Sequence, residues 1–113
     1  MVYDRAHELA AALARCDEYK RLAAAKEGIA GDSVAMQMVR DFLRRKMELD
    51  MAAMTGREPD KAAVAKLEQL AGVVSANPRA RDYLEAYSRF QVLMGDISRI
   101  LSEAVKQGMD IGE

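Results

Sequence analysis

The feature that most constrains the fold is an apolar seam near the C-terminus. It is formed by Tyr83, Tyr87, Phe90, Met94, Ile97, Leu101 and Ala104, with gaps that alternate between four and three residues. That spacing is a heptad seam, and a second stripe of Leu84, Leu93 and Ile100 widens the apolar face beside it. Asn77 supplies an N-cap oxygen, Pro78 fits the first turn, and Gly108 is read as the C-terminal stop. The predicted helix, about 78–107, is about 45 Å long at 1.5 Å per residue. A compact chain of 113 residues has a radius of gyration of only about 13 Å. A helix of that length projects from one compact globule unless a second long helix or a second chain covers it. The sequence therefore predicts self-association, as a dimer or tetramer, with Tyr83, Tyr87, Phe90, Met94, Ile97 and Leu101 as the core or oligomer seam.

Upstream, helical periodicity recurs. Leu9 and Leu13, with Ala6, Ala10 and Ala14, give a helix at about 3–15. Cys16 or Asp17 caps a second at about 17–28, and the pattern leaves open whether 3–28 is one helix or two. Gly28 to Ser33 reads as a break, with Asp32 or Ser33 as the next cap. A long helix follows at about 33–55, and Gly56 and Pro59 form the main turn. Val64, Leu67, Leu70 and Val74 give a helix at about 60–75, and the tail at 109–113 is expected to fray. No segment has strand periodicity. The expected fold is all-α: one elongated bundle of four to five helices in a single domain, with two long antiparallel helices.

The long helix at 33–55 carries five of the eight methionines. Thioether side chains adapt to more than one shape, so Met47, Met51 and Met54 are candidates for a partner-binding face as well as for core filling. Arg40, Arg44, Arg45 and Lys46 on the same helix form the most basic window and are the candidate contact for RNA phosphate or an acidic protein. The one aromatic residue within that window, Phe42, falls on the apolar side of the helix and not among the cations where a base would stack. The overall charge of −1 also speaks against general nucleic-acid binding.

The chemistry of an active site is missing. There is no glycine-rich phosphate loop, no nucleophile elbow and no zinc-protease motif. His7 is the only histidine, and its i, i+3 relation to Asp4 gives two metal ligands where a site needs more. Cys16 is the only cysteine, which excludes an intrachain disulfide and fits a reducing compartment. The first residues lack a signal-peptide run, and no apolar stretch is long enough to cross a bilayer. The expectation is a cytoplasmic, non-enzymatic protein without cofactor or metal; a metal or carboxylate enzyme, built from carboxylates brought together between helices, is the last of the readings.

Several further groups of residues, in order, carry a family resemblance. They are Tyr3-Asp4-Arg5-Ala6 with Leu9; Asp17-Glu18-Tyr19 with Leu22; Asp32; Phe42 and Leu49; Gly56 and Pro59; Asn77; Leu84 and Ala86; and the run from Met94 to Leu101. With them the chain resembles the YlbF/YmcA family of small helical bacterial proteins, and most of all its YheA-type branch. The resemblance implies a self-associating helical protein without a known active site. YlbF and YmcA members act as non-catalytic partners of YaaT, in a complex that influences competence, sporulation and biofilm formation and adjusts mRNA processing by ribonuclease Y. An RNA-contacting accessory role beside a ribonuclease is the alternative. The iron–sulfur clusters associated with that complex are held by cysteines. Cys16 alone does not supply such a set. Where the family's long helix often carries glutamines, this chain has Lys46, Asp50 and Ala53.

Overall fold

In a computed structural model, which describes residues 1–112, the chain forms five helices and, among the described residues, no strand. They are α1 (Val2–Arg15), α2 (Asp17–Ile29), α3 (Ser33–Met54), α4 (Lys61–Ser75) and α5 (Pro78–Met109). Residues 3–28 therefore belong to two helices. The break is Cys16, which is extended (φ −75°, ψ 157°) and caps α2 by accepting a hydrogen bond from the Tyr19 N–H at 3.4 Å on its Sγ.

Local chemistry explains most boundaries. Asp32 Oδ1 accepts from the Ala35 N–H (3.0 Å) to open α3, and Asp60 Oδ1 accepts from the Ala62 N–H (2.9 Å) to open α4. Asn77 Oδ1 accepts from both the Arg79 and Ala80 N–H groups at 3.1 Å, with Pro78 in the first turn of α5. At the end of α3 the Arg57 N–H donates to Ala52 O and the Gly56 N–H to Ala53 O, the paired bonds of a Schellman motif. That motif needs a left-handed residue, and Gly56 supplies it with φ +79°.

Two expected stops differ. Gly28 does not end α2, which runs one residue further to bury Ile29. Gly108 does not end α5, which closes at Met109 with the Asp110 N–H donating to Lys106 O. In both places the helix continues because glycine is tolerated inside a helix at modest cost, while a stop needs the left-handed turn that neither adopts. Of the tail expected to fray, Asp110–Gly112 are non-helical and Glu113 lies outside the described residues.

The helices form a thin, open plate with extents of 46 × 38 × 15 Å and a radius of gyration of 17.7 Å. α5 runs the length of it. α2 lies antiparallel on α5, so that Tyr19 meets Phe90 with ring centroids 5.8 Å apart. α3 packs on α4, and both touch the first half of α5. The core sits where the C-terminal ends of α2 and α4 meet the N-terminal ends of α3 and α5: Ile29, Ala35, Val39, Val74 and Ala80, flanked by half-buried Met36, Met38, Phe42, Leu43, Tyr83 and Leu84. Ala35 and Ala80 are wholly buried and let helices approach closely.

Because these two sites have no spare volume, Ala80→Leu is expected to lower the unfolding free energy by about 1–3 kcal/mol through overpacking, as measured by urea denaturation. Gly56→Ala is expected to cost about 1 kcal/mol through its positive φ. An unchanged midpoint for Ala80→Leu would mean that this junction is looser than its burial indicates.

Candidate interaction surfaces

The heptad seam of α5 has two environments. Tyr83, Tyr87, Phe90, Met94 and Ile97 are half-buried. Tyr83 and Tyr87 stack on one another with centroids 6.1 Å apart, and Phe90 lies against Tyr19 of α2. From Ile100 to Gly112 every residue is exposed: Leu101 by 57% and Val105 by 52%. The seam pattern thus continues past the point where this chain supplies anything to cover it.

The face of α3 divides in the same way. Its first half enters the core through Ala35 and Val39. Its second half presents Met47, Met51 and Met54 outward, the last 86% exposed. The basic window lies beside them, but its charge is locally balanced. Arg44 donates to Asp41 Oδ1 at 2.6 Å and lies 3.9 Å from Glu48. Arg45 Nε lies 3.5 Å from the same Asp41 oxygen, without the alignment of a hydrogen bond. Lys46 pairs with Asp50 at 3.4 Å. Arg40 is exposed, and no ion pair forms to it among the described residues. Arg44, Arg45 and Lys46 lie beside Asp41, Glu48 and Asp50, so of the four cations only Arg40 stands outside an ion pair among the described residues, and little net positive field is left for a phosphate backbone.

Between α2 and α5 runs an open groove of about 860 Å³. Ala24, Ala25, Gly28 and Ala86 form its small-residue floor, and charges of both signs, Asp17, Arg21, Arg79, Glu85 and Arg89 among them, line its rims. Sequence periodicity does not find this groove, because it arises from alanines and a glycine on two helices that meet only in the fold. The core role of Ile29 is equally hidden, since it sits between two glycines in a stretch that reads as a turn.

His7 is exposed on α1, and the Cys16 thiol is engaged as a helix cap. Among the described residues no three His, Cys, Asp or Glu side chains gather as a metal site would require. Nor is any helix among them long and apolar enough to cross a membrane.

The fold and its surfaces define an all-helical protein whose prominent features are uncovered apolar helix faces. Residues 2–106 match the family described as control of competence regulator ComK, YlbF/YmcA, and the chain belongs to that family. Relatives agree over nearly the whole length. A UPF0342 protein of Caldicellulosiruptor saccharolyticus is 41% identical over 104 residues, covering 92% of this chain and 87% of the relative. One of Symbiobacterium thermophilum is 41% identical over 104 residues, covering 92% and 93%. One of Streptococcus pneumoniae serotype 4 is 31% identical over 106 residues, covering 94% and 95%.

With the basic window balanced by its own acids, the protein is expected not to retain single-stranded RNA in a filter-binding assay even at low salt. Retention that weakens with salt and vanishes in Arg44→Glu/Arg45→Glu would reinstate direct RNA contact.

Proposed function

We propose that this protein is a non-enzymatic, cytoplasmic helical module that associates with itself and acts by binding other proteins in a regulatory complex. The observation that carries this reading is the surface area. The chain exposes 8951 Å², whereas a compact monomer of 12.5 kDa exposes about 6,200 Å² by size scaling. The excess is roughly 2,800 Å² per chain, above the about 1,000–2,500 Å² that each partner contributes to an obligate interface. Much of it is apolar: the distal seam of α5 and the methionines of α3. Family membership supports a regulatory role. Competence, sporulation, biofilm formation and mRNA processing are the processes in which such a role is proposed. Within the module the seam serves self-association, and Met47, Met51 and Met54, with the neighbouring Arg40, Arg44 and Arg45, serve a further protein partner.

Light scattering coupled to size exclusion is expected to give the mass of a dimer or tetramer, stable on dilution. Two substitutions separate folding from assembly. Phe90→Asp removes the ring packed on Tyr19 and is expected to lower thermal stability. Ile97→Asp lies beyond most of the intrachain packing and is expected to lower the mass to that of a monomer while helicity by circular dichroism persists. A monomeric wild-type chain at every concentration would overturn the self-association reading.

A further inference from the structure

Two arms leave the same end of the plate without partners. The first is α1, whose backbone comes within 8 Å, Cα to Cα, only of α2 among the described residues, and which contains no buried residue. The second is the last third of α5, where Ile100, Leu101, Val105 and Met109 are all exposed. A 14-residue helix is marginal in water by itself, since isolated helices shorter than about 12–15 residues barely hold together. α1 therefore needs a surface to lie on.

The two arms carry matching patterns. Val2, Ala6, Leu9 and Leu13 follow one another at gaps of four, three and four residues. Read backwards, Gly108, Ala104, Leu101 and Ile97 do the same. An antiparallel pairing sets Leu9 against Leu101, Leu13 against Ile97 and Ala6 against Ala104, so large residues share two layers and small ones a third. The positions flanking this seam are Tyr3, Arg5, Ala10 and Ala12 on one arm and Ser98, Ile100, Val105 and Gln107 on the other, with Arg5 the single charge. No like charges oppose this register. It also continues, within one residue, the antiparallel register in which Tyr19 of α2 meets Phe90 of α5.

α1 does not take this place on its own α5, because the extended Cys16 turns it aside. The turn is fastened by the cap on Tyr19 and by the bond from the Cys16 N–H to Leu13 O at 3.2 Å. Resting on the self-association reading, we propose that two copies exchange arms: α1 of each chain lies antiparallel along residues 97–108 of α5 in the other. A two-fold axis makes the exchange reciprocal, so both pairs of arms are covered at once.

Cysteine cross-linking of the full chain tests this. Leu9→Cys and Leu101→Cys are placed in separately tagged chains, each also carrying Cys16→Ser, and the chains are co-expressed and treated with a short bis-maleimide. The expected result is a covalent species containing both tags, which is lost when Met54→Cys replaces Leu101→Cys. In a chain carrying both substitutions, a cross-link found only within monomers would show α1 folding back on its own α5 and would overturn the exchange. A dimer by light scattering without the mixed cross-link would also overturn it, while leaving self-association standing. A monomer at every concentration would remove both.

Discussion

The structure depends on how thin it is. A plate with a 15 Å extent in its shortest direction is about two helices deep, because packed helix axes lie about 8–10 Å apart. In such an arrangement a side chain can be covered from one side and from its edges, but not all around. This is why the core consists of Ile29, Val39, Val74 and the small residues Ala35 and Ala80, while larger side chains such as Phe42, Tyr83 and Leu84 are only half-buried. Five helices arranged this way stabilise one junction well and leave their far ends exposed. The apolar residues at those far ends follow from the architecture and would be costly in a chain that worked alone.

Much of this was legible in the sequence, and the reason is local. The helices are amphipathic with clear caps, so Asp32 or Ser33 and Asn77 mark two starts and Gly56 marks one stop through chemistry confined to a few neighbouring residues. What was not legible depends on whether a glycine is driven into a left-handed turn. Gly28 and Gly108 look like Gly56 in composition, yet both remain inside helices. At Gly28 the gain from burying Ile29 outweighs the modest propensity cost of glycine, and that gain exists only once α2 meets the other helices. Sequence also left open whether residues 3–28 form one helix or two. The deciding group is the Cys16 thiol, a weak acceptor that is an unusual helix cap.

The candidate surfaces were legible to a different degree. Heptad spacing identified the α5 seam from Tyr83 to Leu101, because periodicity is a property of one helix. It could not show that the intrachain cover thins past Ile97, or that Leu101 emerges into solvent. The basic window on α3 shows the reverse. Its cations stand out in the sequence, but Asp41 accepts from Arg44 and also lies beside Arg45 once the helix forms. A cluster that reads as positive along the chain is largely paired as a surface, with Arg40 the cation outside the ion pairs among the described residues.

The two exposed apolar faces differ in the shapes they offer. Ile100, Leu101 and Val105 are branched side chains with few rotamers, and they suit a partner of fixed geometry such as a second copy. Met47, Met51 and Met54 are unbranched and polarisable, and they can repack around more than one contour. On the proposed reading, self-assembly and partner binding call for both kinds of surface, kept apart so that one does not occupy the other. α5 carries the first kind at its far end, and α3 carries the second on a helix whose opening turns are fixed in the core. The two faces lie on different helices, which under the proposed function would let one pair with a second copy while the other stays available.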